Sequence, residues 1–265
     1  MSKEKILVVK IGGNIIDDEN ALGLFLRSFA KIDGKKILIH GGGKLATKLA
    51  DQLGIQQQMV NGRRITDIET LRIVTMTYAG WINKSIVAAL QAEQCDSIGV
   101  CGVDGALIPA TKRVVHDIDY GFVGDINFEN IRADKLLQLL EIFGTVVIAP
   151  ITSNQVGQLL NTNADTIATQ IACAMQNYYD VSLYFCFEKK GILSNPNDDS
   201  SVISSLDKNY FDDIKKSGNA KDGILPKLEN AFLAVEKNVS SVKVIHAEDL
   251  IEDISNNIKG TLIHA

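Results

Sequence analysis

The sequence predicts a three-layer α/β/α sandwich with a mostly parallel central sheet. Two observations carry this. Short, continuous apolar runs alternate with stretches of helical periodicity along most of the 265 residues. Runs of that kind are strands covered on both faces, not half-exposed ones. Two of them also end in glycines, "KIGG" (10–13) and "HGGGK" (40–44). An open parallel sheet binds its ligands beyond the carboxyl ends of its strands.

"KILVV" (5–9) is a buried strand, "ALGLFLRSFAKI" (21–32) a helix, "KKILIH" (35–40) a strand and "KLATKLADQL" (44–53) a helix. "LRIVTMTYAGWINKSIVAALQAE" (71–93) is one long helical stretch, and "DSIGVCG" (96–102) a strand. Segment 106–130, β-branched and rich in turn residues, breaks the alternation and suggests antiparallel strands inserted into the parallel scaffold. The helix "ADKLLQLLEIF" (133–143), the strand "TVVIAPI" (145–151), the helix "DTIATQIACAM" (165–175) and the strand "VSLYFCF" (181–187) restore it. Segment 194–209 is polar and expected to be surface loop. The helix at 225–238 and strands at 241–246 and 260–265 close the pattern.

A net charge of −5 argues against a nucleic-acid surface, which needs clustered Lys and Arg. Cys95, Cys101, Cys173 and Cys186 form no CxxC or metal-ligand spacing and are expected to be buried small hydrophobes in a reducing compartment. The opening apolar run is broken by Lys10, so it is no signal peptide, and no run reaches the ~18 apolar residues of a membrane span. No membrane partner and a cytoplasmic location are expected.

The glycines point to an anion, because backbone N–H groups can approach one where no Cβ intervenes. There is no GxxxxGK[ST], which excludes a P-loop. "GGGKLA" satisfies a loose dinucleotide pattern but lacks the acid expected at a strand end about 20 residues on. "VNGRRIT" (60–66) adds two arginines, and a guanidinium can grip a carboxylate through two parallel hydrogen bonds. Lys227 stands at the start of a helix, where a cation gains nothing from the helix field. "LLNTNADTIATQIACAM" (159–175) crowds Asn161, Asn163 and Asp165 before a helix for which one cap would suffice.

"KIGGNIID", "LIHGGGK", "VNGRRIT", "GFVGDI", "LLNTNADTIA" and "GILPKLENA", in this order and spacing, resemble the amino acid kinase family over nearly the whole chain. Within it they are most similar to the N-acetylglutamate kinases of arginine biosynthesis. The resemblance implies the carbamate kinase-like form of the α/β/α fold and MgATP-dependent phosphorylation of the side-chain carboxylate of an N-acylated glutamate. It implies an N-terminal lobe, 1–177, for the acyl-glutamate and dimerisation, and a C-terminal lobe, 178–265, for ATP. Lys10 and Lys227 would flank the transferred phosphoryl group, and Asp165 would hold both lysines. Gly42 and Gly43 would face the reacting carboxylate, and Gly12 and Gly13 the nucleotide phosphates. Arg64 and Asn161 would hold the α-carboxylate and amide end, and Asn163 would line the pocket. ATP with its Mg²⁺ is then the only cofactor, and no protein-held metal is expected.

The chain departs from the family at "FCFEKKGIL" (185–193), where Phe187, Glu188 and Lys189 replace a hydroxyl, an acid and an aliphatic residue. Segment 68–90 has more apolar residues than one core-facing stripe needs, which suggests a homodimer interface. The strand at 5–9 stands where arginine-inhibited relatives carry an extra helix, and the segment before the last strand is short. A dimer indifferent to arginine is therefore expected.

Overall fold

The computed structural model describes residues 3–60, 63–115, 117–195, 197–217, 224–255 and 258–265. Asn61, Gly62 and Gly223, parts of motifs quoted above, lie outside them. The first strand, β1 (Lys5–Ile11), leads through α1 (Gly13–Ile16), α2 (Glu19–Ala30), β2 (Lys35–His40) and α3 (Gly43–Gln52) to an antiparallel pair, β3 (Met59–Val60) and β4 (Arg63–Arg64). Then come α4 (Ile68–Val74), a π-helical stretch (Thr75–Ile82), α5 (Asn83–Ala92), β5 (Ser97–Cys101), β6 (Ala110–Lys112) and β7 (Val123–Ile126). They are followed by α6 (Ala133–Phe143), β8 (Thr145–Ala149), β9 (Ile151–Ser153), β10 (Leu159–Thr162), α7 (Ala164–Met175) and β11 (Asp180–Phe187). The chain closes through β12 (Ser205–Leu206), α8 (Lys208–Ser217), α9 (Ile224–Glu236), β13 (Ser241–His246), α10 (Leu250–Ile254) and β14 (Thr261–Ile263).

The central sheet runs β12-β14-β13-β11-β1-β2-β8-β5. Only the β13–β14 pairing is antiparallel. Strands buried on both faces explain the unbroken apolar runs. Along β1, Ile6 and Val8 join one apolar layer with Ile167 and Ile171 of α7 and Phe232 of α9. Leu7, Val9 and Ile11 join the other, with Phe25 and Phe29 of α2, Ala46 of α3 and Ile86 of α5. These are the two outer helical layers of the sandwich. From β1 the chain passes to β2 on one side, and later to β11 on the other. The carboxyl end of β1 is therefore a topological switch point, where a crevice opens. Lys10 lies there, on the α7 side. His40, the last residue of β2, shares a face with Leu38 and points the other way, toward α5.

Segment 106–130 does supply the antiparallel pair β6–β7, but these strands join β10 and β9 in a separate four-stranded sheet. The expected strand 145–151 is split at Pro150 into β8 in the central sheet and β9 in the small one. Proline has no N–H for a ladder, and the chain changes sheets there. The expected loop 194–209 contains β12, whose Leu206 is fully buried. The long helical stretch is continuous but widens into a π segment at 75–82. All four cysteines are free and buried. Among the described residues no helix is long and apolar enough to cross a membrane.

Candidate active site

The site is assembled from the carboxyl ends of β1 and β2, the N-terminus of α7 and the first turns of α9. Lys10, next to last in β1, is only 8% exposed. Its Nζ lies 2.8 Å from Oδ1 of Asp165, and Nζ of Lys227 lies 3.8 Å from the same oxygen. Asp165 is in the first turn of α7, where the helix field favours an anion. Burial by itself raises its carboxyl. The charges of Lys10 and Lys227 outweigh that and hold it below its ordinary 3.8. Burial pushes the Lys227 ammonium below its ordinary range. Asp165 pulls it back up and Lys10 drives it further down. One buried carboxylate thus neutralises half of two buried ammonium charges. The remaining positive charge faces a cleft, which is what a polyanionic ligand requires.

Lys10, Gly13, Gly42, Gly43, Arg64, Asn161, Asn163 and Asp165 line a single cleft of about 250 Å³, and Lys227 reaches it through Asp165. Gly42 has φ +142°, and a Cβ there would lie 2.2 Å from Cδ1 of Ile82. Only glycine fits. Arg64 is almost fully buried and donates to the Gly43 carbonyl (2.8 Å), the Thr47 hydroxyl (3.0 Å) and the Gln57 side chain. A guanidinium has five N–H groups, so donors remain for a ligand. Asn161 donates to the Thr66 hydroxyl at 3.1 Å.

Asn163 is the N-cap of α7. Its Oδ1 accepts from Thr166 N at 3.0 Å, which leaves its NH₂ for the cleft it lines. Capping thus accounts for Asn163, while Asn161 and Asp165 have other partners. Gly12 stands apart from the other glycines. Its N–H donates to the Cys186 carbonyl at 2.9 Å, extending the β1–β11 ladder. Gly12 therefore offers close approach of its backbone to a ligand but no N–H.

Sequence reasoning missed several residues. Tyr78, Arg113 and Tyr120 also line the cleft. Arg113 grips Asp125 at 2.5 and 2.9 Å and lies over the Tyr120 ring. Nothing local marked it, because the inserted small sheet carries it to the site. In the sequence Phe187 is only a departure from the family pattern, yet Nζ of Lys227 sits 5.3 Å from the centre of its ring. Among the described residues no group of His, Cys, Asp or Glu could hold a metal ion.

The model of the amino acid kinase family matches residues 5–246. The chain belongs to the amino acid kinase family. It is 47% identical to a protein of Cytophaga hutchinsonii named acetylglutamate kinase, over 96% of each chain. It is also 47% identical to one of the same name from Phocaeicola vulgatus, over 97% of this chain and 99% of that one. Among solved structures, an N-acetylglutamate synthase from Neisseria gonorrhoeae superposes with a TM-score of 0.83 at 19% identity. The match covers all of this chain and 60% of the synthase, and it shows the shared fold.

Proposed function

We propose that this chain uses ATP to phosphorylate the side-chain carboxylate of N-acetyl-L-glutamate, or of a related N-acyl-glutamate, in arginine biosynthesis. The observation that carries the reading is the Lys10–Asp165–Lys227 cluster facing a cleft that also holds Arg64 and Asn161. It is supported by relatives named acetylglutamate kinase that match nearly end to end.

The chemistry follows from charge. A glutamate side chain with a pKa of about 4.3 is already an anion at neutral pH and needs no general base. A carboxylate oxygen attacks the γ-phosphorus of ATP and the bond to the bridging β,γ-oxygen breaks. The electron pair leaves on ADP, and the product is an acyl phosphate. The obstacle is that an anion must approach a polyanion, so catalysis consists of positioning and fixed positive charge. Lys10 and Lys227 supply that charge on the phosphoryl oxygens, and Asp165 keeps the two ammonium groups in place. Gly42 and Gly43 present N–H groups to the carboxylate, while Arg64, Asn161 and Asn163 hold the rest of the acyl-amino acid. Gly12 and Gly13 lie at the nucleotide phosphates. The site's donors are cations and N–H groups, which suit phosphate and not a resident metal, so Mg²⁺ enters as part of the MgATP substrate.

Residues 1–177 carry the acyl-glutamate side and 178–265 the ATP side. The protein acts as a homodimer through the helix at 68–92, where Trp81 is 73% and Met76 53% exposed, large apolar groups that a partner copy would cover. Its need for ATP fits a cytoplasmic location.

A hydroxamate assay on N-acetylglutamate, other N-acyl glutamates, free glutamate and carbamate tests the reading. Product should form with N-acyl glutamates alone. Lys10→Ala and Lys227→Ala should each lower kcat by ~10²–10³-fold, the loss expected for one donor aimed at transition-state charge. Turnover of free glutamate or carbamate in place of N-acyl glutamates would overturn it, as would unchanged kcat in both variants.

A further inference from the structure

Gly41, Gly42 and Gly43 line the cleft, and glycine peptides reverse direction easily because either sign of φ is open to them. Reversal of the 41–42 peptide would swap a donor for a carbonyl oxygen facing an anion.

His40, immediately before the glycines, is fully buried, as is Asn83 at the start of α5. The Asn83 Nδ2 lies 3.2 Å from the Val147 carbonyl, 3.4 Å from the Val100 carbonyl and 3.2 Å from Nε2 of His40. Two carbonyls can only accept, so the NH₂ of the amide must face them. Its Oδ1 instead accepts from Nζ of Lys84 at 3.1 Å. The NH₂ has two hydrogens for three acceptors, so the longest contact, to Val100, is a shared one. An amide NH₂ can only donate, so Nε2 of His40 is the bare nitrogen and the ring proton sits on Nδ1. From there it donates to the Gly41 carbonyl at 2.9 Å. The 41–42 peptide is planar and trans, so its N–H points opposite to its C=O. Pinning the Gly41 carbonyl to the buried ring therefore turns the Gly42 N–H toward the cleft. No other protein group among the described residues takes the N–H of Gly42 or Gly43.

We propose that His40 and Asn83 are positioning residues that hold the Gly42 N–H pointed at the reacting anion. The inference extends the kinase reading to residues that touch no substrate. The ring must stay neutral to do this, since a second ring N–H would face the amide NH₂. Burial lowers its pKa to about 4, in agreement.

Two measurements test it on the full chain. Long-range ¹H–¹⁵N NMR reads the His40 tautomer, its ring assigned by its loss in His40→Gln. The Nδ1–H form is expected, and the Nε2–H form or an imidazolium at neutral pH would overturn the proposal. This readout stands even if the protein phosphorylates no N-acyl glutamate, which separates failure of the clamp from failure of the function. In kinetics, His40→Gln and Asn83→Leu should lower kcat by ~10–10²-fold, less than full loss of an oxyanion donor, with KM for ATP within about twofold. A lowered melting temperature with kcat intact in a folded variant would make the pair structural only. If neither variant folds, the ring is assigned in the parent chain by through-bond correlation to its own backbone, and the tautomer decides.

Discussion

Replacing Asp165 with asparagine removes one charge and keeps the shape of the α7 entry. At an effective dielectric of ~20, the attraction of the carboxylate is about 6 kcal/mol for the Lys10 ammonium at 2.8 Å and about 4 kcal/mol for Lys227 at 3.8 Å. The smaller figure alone is worth roughly a thousandfold in proton affinity, at 1.36 kcal/mol per tenfold. Relaxation and entering water reduce it, but the direction is set. Burial already depresses Lys227, Lys10 depresses it further, and Asp165 is the group that opposes both. In Asp165→Asn the Lys227 pKa must therefore fall. A lysine serves this reaction as an ammonium, and its charge is lost as pH rises through its pKa. The alkaline limb of the kcat–pH profile should move to lower pH by at least about one unit, with partial recovery of kcat on acidification. ADP release followed across pH gives the profile, and a melting curve confirms that the variant is folded. An unmoved alkaline limb would refute the argument, because Asp165 would then not be what keeps the lysines charged. A kcat loss uniform across pH would do so too.

Three further outcomes follow from the same geometry. Arg64→Lys keeps the charge but loses the fork that binds Gly43, Thr47 and Gln57. Calorimetry should show N-acyl-glutamate binding weakened by ~10-fold or more with ATP binding unchanged, and equal affinity for the acyl-glutamate would remove Arg64 from that role. Phe187→Leu withdraws the aromatic face beneath Lys227, an interaction of up to ~2 kcal/mol when desolvated, so kcat should fall by ~10-fold while Phe187→Tyr retains it. A folded Leu variant with full kcat would contradict this. For His40, the folded pKa of about 4 lies below its ordinary 6.5. The unfolded chain thus binds a proton that the folded one refuses, so the native state keeps its full stability above 6.5 and loses it as pH falls toward 4. The loss from this one group should reach about 3 kcal/mol. Melting temperature against pH should show the decline in the parent chain and a shallower one in His40→Gln. Identical slopes would exclude His40 as its source.

The strands, the main helices and the glycine turns could be read from the chain because each depends on local patterning. Burial on both faces makes β1, β2 and β11 continuous apolar runs. The helix at 133–143 shows its period of 3.6, and glycines ending consecutive strands mark an anion crevice. Lys10, Arg64, Asn161, Asp165 and Lys227 were legible as a group only through resemblance, since a lysine 217 positions from another carries no local mark of nearness. Proximity to one carboxylate oxygen arises from β1 and β11 pairing at the switch point, with α7 packed over them and α9 packed against α7. The same holds for what the sequence did not disclose. Pro150 could be seen, but not that the chain would change sheets there, nor that the small sheet would carry Arg113 to the cleft. Phe187 reads as an apolar strand end until α9 places Lys227 over its ring. His40 and Asn83 are 43 residues apart, and their bond exists because a strand end and a helix start meet in the layer opposite Asp165. Periodicity and backbone preference are properties of neighbouring residues and so belong to the sequence. Charge compensation, a fixed tautomer and the direction of an N–H depend on distances between remote groups, which only the packed chain sets.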